Sequence, residues 1–336
     1  MDVEQEEMQF FGLLGIFNES YKIIISWRKI FTQITFSLIL PLVFIFLAQK
    51  EVSEILFAKI IHNEADMMET EIGSRRYNNL NDLVNSELTT LFLIKAVYFT
   101  FLLILSLLST SAAVYTIACI YTGRDVNFRK VMSVVPKVWK RVMVTFLCTF
   151  LAFFAYHVFA IIVLIIWVVI MGDSRYANGF VIGLVFLGIV YFAGLVYMSL
   201  VWHLASVVSV LEEARGIKAM RKSRALMKGK MWVAICVFFI LGIVSYAVQF
   251  AFQNLVVHGW SFGVLAKVGY SIVCFSLMVI LFLFVLVIQT VLYFVCKSYH
   301  HENIDKSALS DHLEVYLLGE YVPLKSKDVQ LEQVHV

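Results

Sequence analysis

The chain has 336 residues, of which 61% are hydrophobic and 15% charged. Soluble domains run at about 45–50% apolar and about 25% charged residues, so this composition excludes an ordinary soluble domain. The 27 basic and 24 acidic residues leave a net charge of only +3, and what informs is where they fall rather than their sum.

The first residues are acidic (Asp2, Glu4, Glu6, Glu7) rather than a basic leader, and no small-residue cleavage site follows a short apolar core. No cleavable signal peptide is therefore expected, and the first apolar span serves as the targeting signal. Met8–Phe31 alternates apolar and polar groups: Phe10, Phe11, Leu13, Leu14, Ile16 and Phe17, then Glu19, then Ile23–Trp27 and Arg28-Lys29. This reads as an amphipathic helix on the cytosolic membrane surface with Trp27 at headgroup depth. Asn18-Glu19-Ser20 forms a glycosylation sequon that stays unmodified on that side.

Six apolar runs are long enough to cross a hydrocarbon core of about 30 Å. They are Phe31–Ala48, Leu91–Tyr121, Val142–Met171, Val181–Leu211, Trp232–Asn254 and Val268–Cys296. Pro41 should bend the first. The loop Gln49–Thr90 begins with a helix-like stretch (Val52, Ile55, Leu56, Ile60) and continues into a turn-rich patch, Tyr77–Asn85, with four Asn. Short links near Gly172–Asn178 and Val256–Lys267 read as tight hairpins. The second and fourth spans, at about 31 residues and ~1.5 Å each, reach ~46 Å, so their inner ends are expected to project from the bilayer as helix.

The charges repeat. After the second span come Arg124, Arg129, Lys130, Lys137, Lys140 and Arg141. After the fourth come Arg215, Lys218, Arg221, Lys222, Arg224, Lys228 and Lys230. An offset of 90 residues brings Ser133 onto Ser223 and Lys140 onto Lys230, and the sixth span again ends in Lys297, His300 and His301. This implies repeated helical hairpins with one side of the bilayer marked by charge each time. With six spans, 20 of the 27 bases fall on the side of the termini and six on the other, with Lys95 just inside the second span. The termini are therefore expected in the cytosol.

The expected architecture is all-α: a polytopic membrane protein with about six transmembrane helices. It divides into a cytosolic N-tail and interfacial helix (1–29), a six-span domain (30–297) and a cytosolic C-tail (298–336). The outer loop is 49–90 and the basic cytosolic loops are 122–141 and 212–230. The location is an integral membrane of the secretory pathway: the endomembrane system or the plasma membrane.

All five cysteines (Cys119, Cys148, Cys236, Cys274, Cys296) fall inside or at the ends of spans, so no disulfide framework is implied. Cys119 and Cys296 sit where acylation can occur, although small apolar packing residues are the commoner case. No HExxH, GxSxG, P-loop or CxxC pattern is present, so no catalytic, cofactor or metal site is assigned.

Two groups of residues are candidate sites. In the basic loops, Arg215, Lys218, Arg221, Lys222, Arg224, Lys228 and Lys230, with Arg129 and Lys130, suit anionic lipids or cytosolic proteins, each base near the surface being worth about 1 kcal/mol. The plainer reading is that they only set topology. Within the spans, Ser199, His203 and Ser206 share one face of the fourth and suit a solute path, whereas the plainer reading is interhelical hydrogen bonding at roughly 0.6 kcal/mol each. No Asp, Glu or Arg sits mid-span, which weighs against an ion-coupled pump. In the C-tail, Tyr321-Val322-Pro323-Leu324 fits the tyrosine-x-x-bulky sorting signal through Tyr321 and Leu324.

Several segments carry a family likeness. They are Asn18-Glu19-Ser20-Tyr21, Ser26-Trp27-Arg28-Lys29-Ile30-Phe31, Leu40-Pro41-Leu42, Glu212-Glu213-Ala214-Arg215-Gly216 with Ala219-Met220-Arg221-Lys222-Ser223, and Tyr299–Asp305 with Tyr321–Leu324. Together they resemble a plant family of polytopic membrane proteins, mostly uncharacterised, some labelled polyadenylate-binding-protein-binding proteins. The resemblance spans essentially the whole chain, and it implies polyadenylate-binding protein as a partner. Leu80-Asn81 is the near match to the motif read by that protein's peptide pocket, without its later anchors. The Glu-Glu-x-x-Gly segment with the following Ala-x-x-x-Ser is also similar to the membrane domain that accompanies some glycerophosphodiester phosphodiesterases.

The expectation is a non-enzymatic multi-pass membrane protein that docks cytosolic proteins or anionic lipids through its basic loops and C-tail, without direct nucleic-acid contact. The alternative is a transporter or channel for a small, uncharged solute.

Overall fold

The computed structural model describes residues 8–71, 73–124, 126–171, 177–258 and 263–300. Every regular element among them is helical. We number the α-helices α1 (Leu13–Ser26), α2 (Arg28–Ile34), α3 (Leu40–Met68), α4 (Arg75–Tyr121), α5 (Phe128–Met171), α6 (Ala177–Leu211), α7 (Ile217–Leu226), α8 (Met231–Phe252) and α9 (Val264–Tyr299). Six helical stretches are long and apolar enough to cross a membrane: Arg28–Met68, Arg75–Tyr121, Phe128–Met171, Gly179–Leu211, Met231–Val257 and Val264–Tyr299.

A π-helical turn, Thr35–Ile39, interrupts the first stretch, and another, Gln253–Val257, ends the fifth. The first lies just before Pro41. A proline has no N–H to give the carbonyl four residues back, and the wider turn lets the helix continue around that gap.

The helices outrun the apolar stretches at places hydropathy does not mark. Tyr77–Asn85 is not a turn but part of α4. Ser74 caps it, its Oγ accepting the Tyr77 N–H at 3.1 Å. Val84 of α4 and Ile60 of α3 are buried, and Asn63 donates to Glu87 at 2.7 Å across the pair. The segment read as an outer loop is thus largely a helical hairpin. The 47 residues of α4 span about 70 Å. The excess over a bilayer lies toward Arg75, while the other end of α4, Ala112–Cys119, is packed in the core. The end of α6 is likewise buried from Val207 to Leu211. Both of these ends are therefore helical and packed against neighbouring helices. Similarly, α5 starts at Phe128 rather than near Val142, so the first basic segment forms its opening turns.

The main core lies at one end of the bundle, and a second, smaller cluster that includes Leu47, Phe252, Val256, Cys274 and Met278 packs the first, fifth and sixth stretches toward the other. The buried residues of α5 all lie between Val131 and Thr149, and those of α6 from Leu200 onward. Toward their other ends both helices present Phe154, Ile165, Ile182 and Phe186 outward, as a chain bathed in acyl chains would. The helix α1 closes the core from the side: Ile16 and Ile23 are buried within the main apolar cluster, while Phe10, Leu14, Tyr21 and Ile25 stay exposed.

Candidate functional site

The basic end is built by side chains that clamp α7 between its neighbours. Glu212, the first residue past α6, is the hub. Its carboxylate pairs with Lys222 of α7 at 2.7 Å and with Lys297 of α9 at 3.3 Å. The Tyr293 hydroxyl donates to the same carboxylate at 2.6 Å, and the Lys297 ammonium lies 5.7 Å from the Tyr293 ring centre. Burial alone pushes the Glu212 carboxyl up. The hydrogen bonds from Lys222 and Tyr293 and the charges of Lys297 and Lys222 outweigh that and hold it below the usual carboxylate range.

A second set of bonds fixes where α7 starts and stops. Gly216 turns the chain with φ of +59°, and its N–H donates to the Thr145 hydroxyl of α5 at 2.8 Å. The Thr145 hydroxyl also meets that of Ser209 at 2.6 Å. The Ser223 hydroxyl, fully buried, donates to the Val201 carbonyl of α6 at 2.9 Å. Beyond α7, Gly229 has φ of +90°, and a Cβ there would run into the Tyr299 ring. The Lys230 ammonium lies 5.3 Å from that ring centre, and a His300 ring nitrogen meets the Leu226 carbonyl at 3.1 Å.

This clamp sorts the predicted bases into two kinds. Lys222 and Lys230 are half-buried and tied to Glu212 and Tyr299. Arg215, Lys218, Arg221, Arg224 and Lys228 are exposed, as are Arg129 and Lys130 on the first turn of α5. The two basic segments also differ in build. The first runs unbroken into its span through Pro136, whereas the second is cut from its span by Gly229. Ser133 is exposed while its counterpart Ser223 is buried, so the positions aligned by the 90-residue offset have different surroundings.

The match to protein families decides membership. The chain belongs to the DUF8558 family, a domain of unknown function. The family model covers residues 1–334. No curated protein and no solved structure matches the chain.

The other predicted residues of this DUF8558 chain lie apart from the clamp. A ring nitrogen of His203 meets the Gln289 side-chain oxygen at 3.1 Å, and its ring stacks on Phe238 at 4.5 Å between centres. The Ser206 hydroxyl is spent on the His203 carbonyl at 2.7 Å, and Ser199 is half-buried. Cys119 and Cys296, the positions considered for acylation, are buried. Among the described residues no three His, Cys, Asp or Glu side chains converge as metal ligands. Tyr321, Leu324, His301 and Glu302 lie outside the described residues. Sequence reasoning missed Glu212 as the organising residue. Its partner Lys297 is 85 positions away, and the only signal was the Glu-Glu pair at the end of a span.

Proposed function

We propose that this chain is a non-enzymatic multi-pass membrane protein, with both termini in the cytosol, whose basic end is a docking platform for cytosolic proteins or anionic lipids. The observation that carries the reading is the clamp around α7. Loops that serve only to set topology need charge but not order. Here the second basic segment is held at Glu212, Thr145, Val201, Leu226 and Tyr299, which fixes five exposed bases on a rigid element. Pre-ordering lowers the conformational entropy that binding would cost. The ends of α4, α6 and α9 and the starts of α5 and α8 meet in the main apolar cluster, so both basic segments adjoin the same end of the bundle. The location that fits is the endomembrane system or the plasma membrane, and the C-tail adds further docking sequence.

The solute-path alternative has less support, because His203 and Ser206 are engaged by Gln289, Phe238 and the α6 backbone.

The test is proximity labelling from the C-terminus of the full chain in cells, with a variant carrying R215Q, K218Q and K228Q and a truncation after Asn303. The docking reading expects a set of cytosolic neighbours that falls severalfold in one or both. An unchanged set of generic membrane neighbours in both would overturn it.

A further inference from the structure

The exposed bases of α7 do not all face the same way. Ile217, Met220, Arg221 and Arg224 follow the i, i+3, i+4, i+7 rule and form one stripe, while Ala219, Ser223 and Leu226 form the buried stripe. The first stripe overhangs a groove of about 550 Å³ between α5 and α6. Its floor is apolar, with Leu151 and Ala152 from α5 and Tyr197 and Val201 from α6. Arg221 and Arg224 of α7 line its edge, chiefly through their aliphatic stems. Among the described residues neither arginine makes an ion pair or hydrogen bond. The carboxylate nearest in sequence that is not solvent-exposed, Glu212, is already taken by Lys222 and Lys297.

We infer that this groove binds one anionic phospholipid, with its phosphate on Arg221 and Arg224 and an acyl chain laid along the seam of α5 and α6. The inference rests on the proposed reading only in placing the basic end at a membrane surface. Two features select a lipid over other anions. Paired guanidinium groups match phosphate oxygens in forked geometry, so the rim asks for a phosphate. The floor is almost wholly apolar and continues into the apolar faces of α5 and α6, which suits an acyl chain attached to the phosphate. The same seam holds a second cleft further along, of about 450 Å³, lined by Tyr156, Ala160, Leu164, Leu187 and Tyr191. A headgroup at α7 therefore has a lipophilic track leading away from it.

The test uses the full chain in nanodiscs of phosphatidylcholine with about 20% phosphatidate, a proportion giving the anionic surface such sites meet. Retained phosphatidate per protein is counted by native mass spectrometry after gentle extraction. Three variants are compared: R221Q/R224Q; A152F, which fills the floor and keeps both charges; and R129Q/K130Q, which removes two exposed bases outside the groove. Loss of two charge-assisted contacts should lower retention about tenfold in the first. The second should lose as much and the third almost nothing. Maleimide labelling of Cys148, which lines the groove, supplies a readout in the unmutated chain: phosphatidate should slow it relative to the same chain in nanodiscs of phosphatidylcholine alone. Equal loss in R129Q/K130Q, or no protection of Cys148, would overturn the groove while leaving a diffuse docking surface intact. Displacement by millimolar glycerol 3-phosphate would overturn the lipid and leave a bare phosphate site. Since nanodiscs expose both leaflets, a wrong assignment of the cytosolic side would not alter these outcomes.

Discussion

Two buried carboxylates at the basic end behave in opposite ways, and partners explain the difference. Glu19 on α1 is 4% exposed, and burial raises its carboxyl above the ordinary 4.5, with Lys22 only partly offsetting this. Glu212 is held below 4.5 by Lys222, Tyr293 and Lys297 despite its own burial. The signs of their pH dependence follow. An acid with a raised folded value stabilises the fold when protonated, and that contribution is lost as pH rises through the raised value. Glu19→Gln removes the cost of the buried charge. At pH 7.5 it should raise Tm in detergent by about 1–2 °C, the shift for ~1 kcal/mol at about 2.1 cal/mol/K of unfolding entropy per residue, and the gain should vanish below pH 4.5. An acid with a lowered folded value contributes stability above 4.5 that is lost as pH falls through the lowered value. Glu212→Gln should therefore destabilise at neutral pH by about 1.5–3 kcal/mol, the range for a hydrogen bond to a charged group. The gap to wild type should close in acid. Thermal unfolding of the three proteins from pH 3.5 to 7.5 checks both; parallel profiles would show that neither carboxylate has the role assigned to it.

At the scale of elements, the apolar spans were legible because twenty consecutive apolar residues have no other use, and all six coincide with helices. What was not legible was helix outside the bilayer. Tyr77–Asn85 carries four Asn, which favour turns, but a Ser74 cap and the buried Val84 are enough to keep it helical against α3. The first turns of α5 were masked by charge, since hydropathy reads Arg129–Arg141 as loop while Val131, Val134, Val135 and Val138 form a buried stripe. The docking of α7 was hidden for a different reason: apart from Lys222 with Glu212 and Ser223 with Val201, it depends on contacts between residues 64 to 85 positions apart, which no periodicity reveals. Gly229 is where this element can be tested. Alanine there faces both a positive φ and the Tyr299 ring, so Gly229→Ala should cost about 1–3 kcal/mol. The loss should be local. Trypsin should cut faster after Arg221 and Arg224 with little change at Arg129. Uniform acceleration at all three sites would mean that α7 is not a separately docked unit.

For the whole molecule, the distribution of burial and the distribution of charge point to the same end. The main core is packed where the basic segments lie, and the acidic hairpin of α3 and α4 extends at the other end, joined to the π-helical turn after α8 by the contact of Gln253 with Glu54 at 3.1 Å. If the long helices are spans, residues 74 and 228 are separated by three crossings and residues 12 and 228 by four. In a background with Cys119, Cys148, Cys236, Cys274 and Cys296 replaced, single cysteines at Ser74, Gly12 and Lys228 should then divide cleanly. An impermeant maleimide applied to sealed cells or inside-out vesicles should label position 74 from the face opposite to the other two. In the proposed orientation the basic excess lies in the cytosol, as expected where Lys and Arg are retained on that side during insertion. Positions 12 and 228 should be protected until the membrane is opened. Labelling of 12 and 228 from opposite faces would break the six-span count. Labelling of both from outside would keep the count and invert the protein, and an inverted protein would present its clamped bases to the lumen or cell exterior. The docking partners would then have to be sought on that side.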